Sequence, residues 1–494
     1  MSITNTVFEK ERFQILSNSK PQEITIDPVL KEKYEQLINK TVCWIIIDKD
    51  GKPKVNISEL GNTILKAHDC IIVENGNKDD FYEYNKVKGY WELRNIKSIK
   101  SVITELLNRY NVWTDRVARD AFHFVCDSIK RVKWKDTFGK KQGNYFNFKN
   151  GVWNWDDFKL QEHSPKYYFK SCVDYDLVVA DKYPNAQAVI NSWKNKNSWL
   201  ETEKWLALSV GENMQSLMEF IGYIFYPSYE PIQLFVILLS PGGDGKTTFM
   251  NHLTTLVGNE NTSFVSLIDL ADKRPNNFSH SELYNKYLNE YDDISNAYIP
   301  DTTVLQKLTG GSSITAPVKN RPGITLFNYA KLLFASNDLP SFSNTTNAFL
   351  RRINVIKFFK INNFKQTIDM KKVNKERGEF VYKCMVLARD AMKRKEIKQT
   401  ESIIAQRNNW IEDNDPIKQF INEDCTSAPT EEVDEHDLYS AYKVWCIKYN
   451  FKPVSKTKFK KELENKGIFR SVENKRIDGE KRKRRYFYKG ISLN

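Results

Sequence analysis

The stretch that most constrains this chain runs from Ile232 to Thr248, IQLFVILLSPGGDGKTT. Its apolar run, interrupted only by Gln233, is rich in β-branched and aromatic residues and reads as a strand covered on both faces. Gly242, Gly243, Gly245, Lys246 and Thr247 follow at once, and then Phe249, Leu253 and Leu256 fall at helical spacing. Strand, Gly-rich loop, Lys-Thr and helix is an arrangement that cradles phosphates. Glycines let backbone N–H groups converge on the oxygens, Lys246 reaches the β and γ phosphates, and the Thr247 hydroxyl ligates magnesium. The expected ligands are therefore ATP and Mg2+, held along Ser240, Pro241, Gly242, Gly243, Asp244, Gly245, Lys246, Thr247 and Thr248. One position departs from the usual pattern, because Ser240 stands where the motif begins with glycine. The bland alternative is a Gly-rich strand-to-helix turn with no ligand, and a phosphate loop alone does not separate kinases, GTPases and motors.

Three features further along narrow the choice. KYLNEYDDIS places Asp292 and Asp293 after a short apolar and aromatic run. Magnesium takes hard oxygen ligands and hydrolysis needs a carboxylate beside the attacking water, which assigns Asp292 to the metal and Asp293 to the water, with Glu290 as substitute for either. AKLLFASNDLP is a second buried strand that ends in Asn337, an amide able both to donate and to accept beside a γ-phosphate. FLRRINVIKFF then puts Arg351 and Arg352 at the head of another strand, where a guanidinium fork suits a neighbouring subunit's nucleotide. Taken singly, each has a plain reading: an acidic turn, a helix-capping amide, a surface ion-pair site.

The rest of the chain divides by composition. Residues 1–105 mix short apolar runs with polar turns such as DKDGK and read as an α+β region of unassigned role. Over 106–228, Leu106, Tyr110, Trp113, Val117 and Phe122 fall at helical spacing, YFNFKNGVWNWDDFKLQEHSP reads as a hairpin turning at Asn150-Gly151, and Trp199–Tyr226 is helical up to Pro227 and Pro231. Residues 229–410 alternate strand and helix, 411–431 read as a polar linker, and 432–494 hold two helices and a basic hairpin around Asp478-Gly479. The fold expected is multidomain α/β.

Net charge sharpens the picture. The chain carries +13, and between Lys452 and Lys489 fifteen Lys/Arg face five Asp/Glu, so most of the surplus lies in the last tenth. That concentration suits a polyanion. Ser455 caps a helix that buries Phe459 and Leu463 and turns Lys456, Lys458, Lys460 and Lys461 mostly outward, and the following hairpin carries Lys481, Arg482, Lys483, Arg484 and Arg485. A helix followed by a basic wing is a duplex-binding design, with a protein-binding winged helix as the alternative. The seven cysteines form no CxxC pair, which argues against zinc and disulfides. No apolar run is long enough to span a bilayer, and the first residues are polar and charged; a cytoplasmic protein with no membrane partner is expected. Abundant Lys, Asn and Ile fit an AT-rich bacterial or mobile genome.

The loop, the acidic pair, LQKLTGGSSITAPVKNRPGITLF, the strand ending in Asn337 and Arg-Arg-Ile follow one another in an order that resembles the superfamily 3 helicases. More narrowly, the chain is similar to the poxvirus-type primase-helicase C-terminal family of phages, plasmids and staphylococcal islands, over roughly residues 80–494. The resemblance implies an AAA+ core, a hexameric ring moving 3′ to 5′ on single-stranded DNA, and a C-terminal winged helix on double-stranded DNA. It also implies a hairpin whose tip, Lys319, Asn320 and Arg321, enters the channel, with Pro322-Gly323 helping the reversal, and Arg352 as the arginine offered to the next subunit. No paired-carboxylate signature for priming stands ahead of the motor. The reading is an ATP-dependent replicative helicase and initiator of a mobile genetic element, with host or element replication proteins as further partners. The rivals are an origin-binding initiator or helicase loader that barely unwinds, and a DNA-packaging or other P-loop ATPase.

Overall fold

The computed structural model describes residues 42–494 apart from 77, 140–142, 275–276, 293, 295–297, 300, 319–320, 343–346, 414, 450, 452 and 476–482. Two compact units are present, one of residues 42–84 and 91–140, the other of 85–90 and 141–494.

In the first unit β1 (Ile45–Ile47) and β2 (Pro53–Val55) form a ribbon, followed by α1 (Ile57–Ala67), β3 (Cys70–Asn75), β4 (Lys78–Asn85), β5 (Tyr90–Arg94), α2 (Lys97–Arg109), α3 (Asp115–Ser128) and β6 (Lys130–Lys133). The sheet order is β5-β4-β3-β6, with β6 parallel to β3. Leu60, Ile64, Ile99, Ile103, Leu107, Ala121 and Val125 from the three helices meet Ile72 and Phe81 of the sheet in one core. A boundary at residue 105 is therefore wrong: it would cut α2, whose apolar stripe needs this sheet, and the unit runs on through β6.

The second unit opens with β7 (Tyr145–Phe148), β8 (Gly151–Asn154) and β9 (Lys159–Gln161), a meander in which Phe148 pairs with Gly151. The reversal is thus made by Lys149 and Asn150, one residue earlier than the dipeptide suggested; Gly151 already lies in the strand, where a Cβ would strike the Gln161 carbonyl oxygen. Helices α4 (Glu201–Val210) and α5 (Met214–Ile224) come next, then β10 (Phe235–Leu239), α6 (Lys246–Val257), β11 (Thr262–Ser263) and β12 (Leu288–Tyr291). A hairpin of β13 (Ser313–Val318) and β14 (Arg321–Phe327) leads into β15 (Lys331–Ser336), and β16 (Ile353–Lys357) completes the sheet. The five strands are all parallel, in the order β11-β12-β15-β10-β16.

Side chains alternate across a strand, so one continuous apolar run feeds two cores. Val236 and Leu238 of β10, with Leu333 and Ala335 of β15, face the core built by α4, α5, the β7–β8 hairpin and α7 (Arg377–Arg394). Phe235, Ile237, Leu332 and Phe334 face the other, with Leu305, Phe349 and Trp410. The hairpin and helices before Pro227 accordingly share a core with the sheet instead of forming a body of their own. α5 and α7 approach so closely that a Cβ on Gly222 would lie 2.0 Å from the Cys384 carbonyl oxygen.

After α8 (Glu401–Asp413), residues 411–431 were expected to be a linker. Apart from 414, which lies outside the described residues, they form the end of α8, the cap and body of α9 (Pro416–Asp424) and most of β17 (Cys425–Asp434). α9 starts on an Asp415 cap with Pro416 in its first turn, so the residues that read as linker punctuation are a helix start. α10 (Glu435–Lys448), α11 (Lys456–Asn465), β18 (Arg470–Lys475) and β19 (Lys483–Leu493) follow, and β19 sits between β17 and β18 in an antiparallel sheet. Phe420, Leu438, Tyr442, Trp445, Phe459, Leu463 and Tyr488 form its core. Among the described residues no helix is long and apolar enough to cross a membrane.

Candidate nucleotide site and nucleic-acid interface

β10 ends at Leu239 and α6 begins at Lys246, which leaves six residues to turn the chain. Gly242, Gly243 and Gly245 do so with φ of 110°, 66° and 97°, the left-handed region that glycine enters without a Cβ penalty. Asp244 braces the turn: its carboxylate accepts from the backbone N–H of Gly242 at 3.2 Å and of Lys246 at 3.1 Å, and from the Ser240 hydroxyl. Lys246 is buried, its Nζ 2.6 Å from Ser240 Oγ, 3.0 Å from the Ser240 carbonyl oxygen, 3.1 Å from Asp244 and 3.3 Å from Asn337 Oδ1. The departure at Ser240 thereby acquires a local reason, since its hydroxyl joins the brace and the lysine.

The parallel sheet brings the downstream residues to the same end. β15 runs beside β10 and β12 beside β15, all in the same sense, so Asp292 and Asn337, each just past a strand, emerge at the same end as the loop. Thr247 Oγ1 donates to Asp292 Oδ2. Glu290 is placed differently: it lies within β12, buried, and accepts from Thr254 Oγ1. Thr254 is seven residues past Thr247, two turns down the same helix face and about 10 Å along it. Burial, with the nearby Asp292 charge adding, pushes the Glu290 carboxyl up to about 7. Its Oε2 has no hydrogen-bond partner among the described residues. The two described acids are thus sorted by depth, with Asp292 at the loop and Glu290 beneath; Asp293 lies outside the described residues. Thr247 and Asp292 form an all-oxygen donor pair of the kind that suits a hard divalent cation.

Arg352 differs from its expected posture. It is buried, donates through Nη1 to the Ala348 carbonyl and through Nη2 to Gln233 Oε1 at 2.7 Å, and leaves Nε without a partner among the described residues. Burial, then the adjacent Arg351 charge, lowers its pKa. Arg351 is the exposed member of the pair. Both stand at the start of β16, beside Phe235 at the start of β10 and a full strand length, about 15 Å, from the loop.

Between the loop and the arginines the β13–β14 hairpin pairs Val318 with Arg321, which puts Pro322 and Gly323 in the second strand and not in a turn. Lys319 and Asn320 lie outside the described residues, and of Arg321 only the backbone is described. In the tail the outward lysines are not alike. Lys456 and Lys460 reach Glu435 Oε1 at 3.0 and 2.9 Å, and Arg470 reaches its Oε2 at 3.0 Å. Burial alone would raise the Glu435 carboxyl, but hydrogen bonds from Lys460, Lys456 and Arg470 hold it down at about 2. Lys461 is exposed and Lys458 half-buried, while Arg485 stands 3.8 Å from Asp434. Lys481 and Arg482 lie outside the described residues, and for Lys483 and Arg484 only the backbone is described.

Sequence reasoning missed Thr254, Gln233 and Glu435. Thr254 carried a signal, its seven-residue spacing from Thr247 on the helix that follows the loop. Glu435 carried none, because its partners lie twenty-one to thirty-five residues away on another helix and a strand.

Comparison with known proteins assigns parts of the chain. Residues 238–352, the segment from the loop to Arg352, match a family of unknown function (DUF5906). No curated protein matches. Among solved structures, the A form apo structure of the NrS-1 C terminal region aligns at a TM-score of 0.44 and 12% identity, over 88% of this chain and 100% of that one. The apo structure of the NrS-1 C terminal region (305-718) aligns at 0.44 and 11%, over 89% and 100%. Residues 412–491, which hold α9 and all but the last residues of the three-stranded tail, are similar to the poxvirus D5 protein-like family.

Proposed function

We propose that this protein is an ATP-driven DNA helicase that starts and sustains replication of a mobile genetic element. Copies assemble as a hexameric ring around one DNA strand and move 3′ to 5′, with an AAA+ core and a winged-helix tail on duplex. The observation that carries the reading is the convergence of Lys246, Thr247, Asp292 and Asn337, which come from three places in the chain, on one end of a parallel sheet.

Bound ATP and magnesium supply an electrophilic phosphorus and a charge that draws electron density onto the leaving oxygens. Lys246 leaves its Ser240 and Asn337 contacts for the phosphates, Thr247 and Asp292 hold the cation, and Asn337 orients the attacking water. Glu290, whose carboxyl stands near neutral pH beside the Asp292 charge, gives and takes a proton behind the same site. Arg352 stands too far from its own loop to serve it and has an Nε to spare, so it reaches the nucleotide of the next copy once Gln233 releases it. The β13–β14 hairpin carries its tip cations, Lys319 and Arg321, along the strand's phosphates without reading bases.

Lys246→Ala tests the reading: it is expected to abolish ATP hydrolysis and strand displacement on a forked substrate while leaving duplex binding by the tail intact. Hydrolysis at the unsubstituted rate would overturn the site. The rival, an initiator or loader, draws on the cations of the tail. It predicts full ATPase and duplex binding with no strand displaced.

A further inference from the structure

At the starting ends of β12 and β15, the opposite end of the sheet from the phosphate loop, lies a cavity of about 230 Å³ that the function above does not use. Tyr168, Phe169, Tyr284 and Tyr329 line it, with Lys170 and Lys286 bringing positive charge and Glu260 one carboxylate. Tyr329 is set edge-to-face on the buried Tyr287, ring centroids 5.2 Å apart at 67°, and Tyr287 is fixed in turn by a 2.7 Å hydrogen bond to the Tyr145 carbonyl. Lys286 gives one of its three ammonium donors to the Glu260 carbonyl at 2.6 Å.

Two of the lining residues have left-handed backbones, Tyr168 with φ 48° and Asn285 with φ 57°. Asparagine tolerates that region, but an aromatic residue rarely adopts it, and such conformations gather at ligand clamps because the surrounding structure has to enforce them. At 230 Å³ the space is below the roughly 300–1,000 Å³ that drug-sized ligands fill, which leaves room for one ring system and not for a whole cofactor. Flat aromatic walls with flanking cations are the chemistry of base stacking beside a phosphate.

We propose that this cavity seats one base of a single DNA strand, stacked on the Tyr168 and Tyr329 side chains, with the adjoining phosphates at Lys170 and Lys286. Its position fits a strand that the hairpin also holds: β14 ends at Phe327, two residues before Tyr329, so the hairpin and the cavity wall are neighbours in the chain. The cavity then grips the strand while the hairpin moves. The inference rests on the helicase reading for its source of single strands but not for its chemistry.

The test uses the full chain and a fluorescent dT oligonucleotide of about twelve residues, without ATP. Tyr168→Gly removes the ring and relieves the backbone at the same position, so folding is spared. Binding should weaken by about 5- to 100-fold, the range for loss of one base–aromatic stack, while Asn363→Gly, the same kind of change at a left-handed asparagine that does not line the cavity, binds as the unsubstituted protein does. In the unsubstituted protein, 5-iododeoxyuridine in the oligonucleotide should cross-link to residues 168–171 or 284–287. Cross-links confined elsewhere, or binding within twofold for both Tyr168→Gly and Tyr284→Ala, would each overturn the proposal. If Lys246→Ala ends ATP hydrolysis while the cavity variants bind normally, only the cavity fails. If Lys246→Ala hydrolyses ATP normally while Tyr168→Gly loses the strand, only the helicase reading does.

Discussion

The loop end of the sheet and the basic tail both hold a lysine close to a carboxylate, yet the two arrangements differ in kind. At the loop, Lys246 and Asp244 have side chains only 6% and 5% exposed, and the lysine is shared among four oxygens. In the tail, Glu435 is buried but its partners Lys456, Lys460 and Arg470 remain 29–42% exposed. The first is a closed network in which removing one member strands the rest. The second is one anion that gathers several cations at a wet surface, where each contact is worth little. Variants at the loop should therefore act steeply and specifically, and variants in the tail shallowly and in graded fashion.

The largest effect is expected for Asp292→Asn. The substitution keeps shape and the hydrogen bond with Thr247 but removes the charge at the loop's mouth, so the maximal ATPase rate should fall by about 10²–10³, typical for the loss of one group that stabilises transition-state charge. Steady-state hydrolysis measured across magnesium concentrations reads it. Full recovery at high magnesium would reduce Asp292 to an aid in metal affinity, and an unchanged rate would remove it from the site.

How far the sequence reached follows the same divide. The loop, the strands before Asp292 and Asn337 and the helix after Lys246 were legible because each rests on local pattern: apolar runs, glycine spacing and helical period. Their convergence could be inferred because parallel strands deliver their C-terminal ends to one edge. Arg352 was legible as a residue but not as a posture, since Gln233, which holds it, lies 119 residues earlier. The two misplaced boundaries have different causes: 411–431 is a polar, Pro-containing stretch that reads as a break wherever it occurs, whereas residue 105 lies inside a helical pattern and carries no punctuation at all. Only the core that a helix needs, the first unit's sheet for α2 or Tyr442 and Trp445 for α9, decides whether either is a break. Lys456 and Lys461 look alike in sequence, and Glu435 separates them.

Glu290→Gln comes next in size and tests whether burial at the loop end has the cost that the network implies. The Glu290 carboxyl rises from an ordinary 4.5 to about 7 on folding, so the folded chain binds the extra proton between those values. Stability contributed by the protonated form is complete below about pH 4.5 and is lost as pH rises through 7. The loss is on the order of 3 kcal/mol. The glutamine variant retains a hydrogen bond to Thr254 and has nothing to titrate. Thermal midpoints of the two proteins should therefore converge near pH 5 and part by pH 8, with the variant higher. Curves that stay parallel across that range would mean that water reaches Glu290 and that the loop end is less closed than the geometry indicates.

The smallest effect belongs to the tail and separates lysines that composition counts as equal. A lysine that neutralises a DNA phosphate contributes close to one unit to the slope of log affinity against log salt concentration. Lys461 is exposed, so Lys461→Ala should flatten that slope by about one on a short duplex. Lys456 and Lys460 already share the Glu435 charge, and part of what they would offer a phosphate is spent on it. Each of their alanine variants should flatten the slope by clearly less, and Glu435→Gln should steepen it, because the same three cations then face the duplex without a competing anion. Equal slopes for the three lysine variants would show that DNA strips the cations from Glu435 at no cost. An unchanged slope for Lys461→Ala would place the duplex on another face of the tail, and α11 would be a packing helix whose charge only keeps it wet.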